Sequence, residues 1–286
     1  MAIDRERLLS LPIPDTAQRY VHRDTLLYAI SLGYGSDPLD ARQLRFAYEG
    51  ELCAVPTMGV VLAHPGFWPQ LLDTGLDWVR IVHAEQGLVL HKPLPVQADV
   101  IGKSRVVSVI DKGAGKGAFI TYERRIFERD TGDPLCTITQ TMLARGDGGF
   151  GGPAEPVPSP PAIPERTPDL SCEMPTADNM ALLYRLNGDW NSLHADPAVA
   201  RKAGFERPIL HGLATWGVAA HAVIRAALDY QAERVASIFG RFTSPVFPGE
   251  TLRTEMWRES KAIAFRVWAT ERNVLAINNG RIELRE

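Results

Sequence analysis

The sequence predicts an α+β protein made of two tandem copies of one unit, each a curled antiparallel sheet around a central helix. Three observations carry this. Residues 208–224, PILHGLATWGVAAHAVI, hold only three polar side chains, His211, Thr215 and His221. A helix apolar on every side is one enclosed by protein, and Gly212, Ala214, Gly217, Ala219 and Ala220 keep its surface low enough for another layer to approach. Segments rich in β-branched and aromatic residues follow in both halves. Short motifs recur about 150 residues apart: YAISLG with YRLNG, VPTMGVVLAHPG with RPILHGLATWGV, HKPLPVQADV with TSPVFPGETL. So long a repeat, with a helix and then strands in each copy, indicates duplication of a whole domain.

Composition sets the bounds. A chain of 286 residues has room for one large or two modest domains. With 45% hydrophobic and 23% charged residues it reads as an ordinary globular protein, and a net charge of −3 does not suggest a nucleic-acid binder. Cys53, Cys136 and Cys172 are odd in number and form no CxxC pair, so neither a disulfide framework nor a zinc site is expected. A reducing interior fits, with cytoplasm as the default. MAIDRERLLSLPIPD lacks the apolar core of a secretory signal, IELRE is not an SKL-type address, and residues 208–224 are too short and polar to span a membrane.

In chain order, a helix is expected over 23–32, then turn-rich sequence at 33–38. VPTMGVVLAHPGFWPQLLD begins as an apolar helix that should break near His64, because Pro65-Gly66 and Pro69 remove hydrogen bonds and clash with the preceding turn. VRIVHAEQGLVLHKPLP, ADVIGKSRVVSVI, AFITYERRIFE and PLCTITQTMLARG read as strands. The loop DKGAGKGAF has alternate glycines but no helix after it, so it reads as a hairpin and not a phosphate cradle; Lys112 and Lys116 give it charge. Gly/Pro-dense residues 146–169 read as a linker between an N-terminal copy, 1–145, and a C-terminal copy, 170–286. Beyond it, Asn187-Gly188-Asp189 signals a turn, and Asp196-Pro197 opens a short helix that ends near Gly204. Pro208 should restart a helix running to Ile224, and 234–260, 262–271 and 276–284 read as strands.

An acid, an amide and an imidazole, Asp189, Asn191 and His194, stand within six residues in or beside that turn, and His211-Gly212 opens the next helix. Singly these are turn and core residues: His211 reads as helix-start structure with ligand contact as the alternative, His221 as a hydrogen-bonded core histidine, and Trp190 and Phe242 as packing or ligand-lining residues. Together, YRLNGDWNSLHADP and AGFERPILHGLATWG resemble the signature of the type 2, (R)-specific enoyl-CoA hydratases of the MaoC-like group, which have the hot-dog fold. One departure is Ser192, where that family usually has proline. The first copy has Met58-Gly59 in place of His211-Gly212 and nothing for His194, so one site, in the C-terminal copy of a double hot-dog, is expected.

The resemblance implies reversible hydration of trans-2-enoyl-CoA to (3R)-3-hydroxyacyl-CoA in fatty-acid or steroid side-chain β-oxidation. In that scheme Asp189 and His194 do the acid–base work, Asn191 orients water, and the backbone N–H of Gly212 stabilises the thioester oxygen. No metal and no cofactor beyond CoA is required. It places acyl-CoA contacts at His83, Ala84, Lys112, Trp190, Ser192, Leu193 and Phe242, although Ala84 stands where glycine is expected, and gives the N-terminal copy a role in holding the acyl tail. The partner is then an acyl-CoA thioester, with no nucleic acid or membrane, and the chain a monomeric double hot-dog or a homodimer. The broken first helix should leave space lined by Phe67, Trp68, Leu71 and Leu72 for a bulky tail. A 3-hydroxyacyl-ACP dehydratase, a hot-dog thioesterase and a non-catalytic acyl-CoA-binding hot-dog protein are the alternatives.

Overall fold

The computed structural model describes residues 3–152 and 159–285; residues 153–158 of the expected linker lie outside them. The strands are β1 (Thr16–Tyr20), β2 (Ile81–Leu90), β3 (Ala98–Asp111), β4 (Ala118–Glu128), β5 (Pro134–Ala144), β6 (Leu170–Pro175), β7 (Val235–Phe242), β8 (Thr251–Arg258), β9 (Ala262–Ala269) and β10 (Val274–Leu284). The helices are α1 (Arg5–Leu9), α2 (His22–Ile30), α3 (Ala41–Ala47), α4 (Trp68–Leu71), α5 (Met180–Tyr184), α6 (Pro197–Lys202) and α7 (Gly212–Leu228). All ten strands form one antiparallel sheet, ordered β1-β3-β4-β5-β2-β7-β10-β9-β8-β6.

That order is a palindrome of the two copies about the β2–β7 pair. The offset that aligns His91 with Thr243 in the repeated motifs also aligns Gly87 with Phe239, and these two are paired across β2 and β7. Each residue of the pair thus faces its own counterpart, as a two-fold axis requires. Tyr28 and Tyr184, also counterparts, meet with ring centroids 6.1 Å apart.

The strands expected from alternation form; β4, for example, buries Ala118, Ile120, Tyr122, Arg124 and Ile126 and turns the residues between them outward. DKGAGKGAF is a hairpin turn, closed by Lys112 N donating to Gly117 O at 3.1 Å. Two edge strands, β1 and β6, were not anticipated; each is short, and its side chains alternate with partly exposed polar residues. Helix α3 was also missed, though Asp40 caps it through Arg42 N as Asp196 caps α6 through Ala198 N.

Three expectations need correction. The central helix starts at Gly212, not Pro208, because Leu210 N donates to Val246 O at 2.7 Å, a partner outside the helix. It runs on to Leu228, where Asp229 and Tyr230 adopt positive φ and end it. In the first copy the segment leading to His64 forms no α-helix: Pro56–Val61 is a single 3₁₀ stretch, and the chain turns at Ala63 with φ 43°. Finally, Trp68 and Leu72 do not line a groove beside the site. Trp68, 2% exposed, packs edge-on against Tyr122 in a small second core with Leu8, Val106 and Met142, Leu72 packs against that core, and Phe67 and Leu71 face outward.

Both halves bury one continuous core against α7. Leu32 lies on Gly217, where an added Cβ would come within 2.7 Å of its methyl groups. In the first copy, Arg124 reaches in from β4 and donates to Val60 O at 2.6 Å, steadying the 3₁₀ stretch. No helix among the described residues is long and apolar enough to cross a membrane.

Candidate active site

The loop before α6 is built by short-range hydrogen bonds that its Asp and Asn residues make with their own backbone. Gly188, at φ 111°, ends the turn Arg185–Asn187. Asp189 Oδ1 accepts from Asn191 N at 3.2 Å, and Asn191 Oδ1 accepts from Leu193 N at 3.0 Å, starting the turn Ser192–His194. His194 is thereby turned inward to 9% exposure, with Nδ1 2.9 Å from Ile209 O. A carbonyl can only accept, so Nδ1 carries the proton and Nε2 keeps a free lone pair.

His211, at the start of α7, stacks on His194 with ring centroids 3.8 Å apart and an angle of 28°. Its Nε2 lies 3.3 Å from Asp189 O. Potential ligand atoms of Asp189, His194 and His211 all lie within 4.8 Å of one another. Burial lowers the pKa of His194, and burial together with the neighbouring His194 lowers that of His211 to about 4. Both rings are neutral at pH 7. His211, read from sequence as helix-start structure with ligand contact as the alternative, is thus a member of the cluster; what sequence lacked was the contact that brings it onto His194.

The second wall comes from the centre of the sheet. His83, on β2, meets Phe242, on β7, edge-on at 4.7 Å. Burial lowers its pKa to about 4, an effect the nearby Asp189 opposes. Ala84 is the extra residue of a β-bulge between β2 and β5, a device that re-aims neighbouring side chains. The Phe242 ring lies 3.4 Å from where a Cβ on Gly212 would stand, so Gly212 joins this wall to the histidine pair.

The first N–H groups of α7, Gly212 among them, have no acceptor within the helix and sit at the positive end of its dipole. At the rim, Trp190 is 59% exposed with the Arg185 guanidinium 4.7 Å over its ring, Asn191 and Ser192 are exposed and Leu193 half-buried. Lys112 does not touch the cluster: its ammonium lies 4.3 Å over the Phe119 ring. Pairing of Ala118 with Ala144, and of Ala144 with Ile81, puts its hairpin at the same end of the sheet as His83. The Glu85–Arg241 ion pair joins the copies beside this wall and has no sequence signal, since its members lie 156 residues apart.

An antiparallel sheet around one buried helix is the hot-dog architecture, and here acid and imidazole converge at the helix N-terminus. Residues 160–280 match the MaoC like domain and residues 18–146 the MFE-2 hydratase 2 N-terminal domain. The chain is 37% identical over 282 residues to enoyl-CoA hydratase 2, peroxisomal, of Arabidopsis thaliana, covering 93% of this chain and 91% of that one. It is 34% identical to the mouse peroxisomal multifunctional enzyme type 2, of which it spans 37%. Among solved structures, a MaoC-like dehydratase from Phytophthora capsici superposes with a TM-score of 0.86 at 32% identity, over 98% of both chains. A Mycobacterium tuberculosis protein with a double hotdog fold superposes at 0.56, over 95% of this chain and 93% of that one; at 16% identity it speaks for the fold alone. The chain belongs to the MaoC-like hydratase 2 family.

Proposed function

We propose that this protein hydrates trans-2-enoyl-CoA reversibly to (3R)-3-hydroxyacyl-CoA in fatty-acid or steroid side-chain β-oxidation. The observation that carries the reading is the convergence of the Asp189 carboxylate and the bare Nε2 of a neutral His194 at the N-terminus of α7. Water attacks C3 as one of these groups takes its proton, the π bond breaks toward C2, and C2 is protonated by the same group or by its partner. Negative charge developing on the thioester oxygen is met by the Gly212 N–H and the helix dipole. Asn191, whose Oδ1 is engaged at Leu193 N, has its amide nitrogen available to hold the water. His211 supports the face of His194. Atoms balance without a metal or redox cofactor, so none enters the scheme.

His83, Ala84 and Phe242 would flank the thioester, Trp190, Ser192 and Leu193 the mouth, and Lys112 the charged end of CoA. The six-residue 3₁₀ stretch in place of a 17-residue helix supports a bulky acyl tail in the N-terminal copy. The sheet joins both copies, which supports a site complete within one chain, whether the chain is a monomer or pairs as a homodimer. Three free cysteines fit a reducing interior. We assign the cytoplasm, and fractionation tests this against the peroxisome named for the plant and mouse relatives.

A hydration assay on straight-chain, branched and steroid-side-chain enoyl-CoAs, with chiral analysis, tests the function. Asp189→Asn and His194→Gln should stay folded and lower kcat by at least about 10²-fold. An (S) product, release of free thiol, near-normal turnover in either variant, or reaction only with acyl carrier protein substrates would overturn the reading.

A further inference from the structure

The two-fold relation of the copies predicts where a second site would lie, and a cavity is found there. His83 and Phe242 meet at one end of the β2–β7 pair; the offset that aligns Gly87 with Phe239 makes their counterparts Val235 and Leu90, at the other end. Val235 and Leu90 line a cavity of about 450 Å³, within the range of small-molecule sites. From His83 to Leu90 a strand spans roughly 23 Å at its usual rise, so the cavity is separate from the Asp189 cluster. Its walls repeat the other site's elements: Pro56, counterpart of Pro208, and Arg45 on α3, counterpart of α6 with the same aspartate cap.

The chemistry is different. Of the residues lining the cavity none is histidine and the one acid is the exposed Glu233, so it holds no acid–base pair. Leu52, Ala54, Pro56, Leu90, Leu94 and Val235 give it an apolar wall. Two guanidinium groups border it. That of Arg285 donates to Leu90 O at 2.8 Å and Val235 O at 3.2 Å and holds the wall. That of Arg45 makes only a 3.5 Å contact with Cys53 Sγ and, among the described residues, forms no ion pair. A half-buried guanidinium with its donors free beside an apolar wall matches a carboxylate on an alkyl chain.

We propose that this cavity, the non-catalytic counterpart of the active site, binds a long-chain carboxylate, its chain along Leu90 and Leu94 and its head on Arg45. This does not depend on the hydratase reading. The probe is dodecanoate and the reporter Cys53, whose free thiol lines the cavity; Cys172, half-buried elsewhere, is the internal reference. Alkylation of the full-length protein by N-ethylmaleimide, read peptide by peptide, is combined with calorimetric titration. Dodecanoate should slow alkylation of Cys53 at least tenfold and leave Cys172 unchanged, dodecanol should protect far less, and Arg45→Gln should weaken dodecanoate binding at least tenfold. Unchanged alkylation of Cys53, equal protection by dodecanol, equal protection in Arg45→Gln, or calorimetric binding that Arg45→Gln leaves unaltered would each overturn the proposal.

Discussion

Acidification from pH 7.5 to 4.5 should destabilise this protein through its core histidines. His221 lies mid-way along α7 at 1% exposure, its Nδ1 3.1 Å from Leu32 O and its ring stacked on Tyr34 at 3.6 Å and 9°. Burial holds its pKa down from 6.5 to about 4, and that of His211 likewise. Because the folded pKa lies below the unfolded one, the unfolded chain takes the proton first as pH falls. The stability is therefore fully present above about pH 6.5 and is lost progressively toward pH 4. Each ring gives up about 1.4 kcal/mol per pH unit in that window, on the order of 3 kcal/mol by pH 4, against a typical total of about 5–15 kcal/mol. His221→Phe keeps a ring against Tyr34, cannot be protonated, and leaves Leu32 O without its donor. Urea unfolding at half-unit pH steps, followed by tryptophan fluorescence, should find this variant about 1–2 kcal/mol less stable at pH 7.5. Its pH slope should be shallower by one proton, so the two stability curves cross roughly one unit below pH 6.5. Curves that stay parallel from pH 6.5 to 4.5 would refute the reasoning.

Gly217→Ala should lower stability by about 1–3 kcal/mol, since its Cβ would stand 2.7 Å from Leu32 methyl carbons; a double-mutant cycle with Leu32→Ala should give a coupling of at least about 0.5 kcal/mol. Ser192→Pro should be tolerated and raise stability by about 0.4–1 kcal/mol. Ser192 opens a 3₁₀ turn, and Asn191 before it, at φ −58° and ψ 120°, already has the backbone a following proline demands; a fall in Tm would show the loop to be wrongly described. Prolonged EDTA dialysis should leave kcat unchanged, and activity lost to EDTA and restored by a divalent cation would make Asp189, His194 and His211 metal ligands instead.

Much of this molecule is written in short segments of its sequence. Alternation of apolar residues specifies β3, β4 and β5, because side chains on a strand point to opposite faces and each face needs its own chemistry. The Asp, Asn and Gly of residues 187–196 bend that loop through bonds spanning two or three residues, whereas Pro65 and Pro69 lie beyond the Pro56–Val61 stretch that is already 3₁₀. Those bonds place Asp189, Asn191 and His194 in one loop, and it is the resemblance to the hydratase motif that singles them out as candidates. Tertiary structure decided what depends on residues far apart. The stacking of His211 on His194 is set by the two backbone carbonyls, Ile209 O and Asp189 O, that hold the rings, and the meeting of His83 with Phe242 by the register of β2 on β7. The start of α7 at Gly212 required Val246 O, and the inward turn of Trp68 required Tyr122. Period and turn chemistry act over a few residues and can be read locally, whereas these contacts join segments brought together only when the duplicated halves pair.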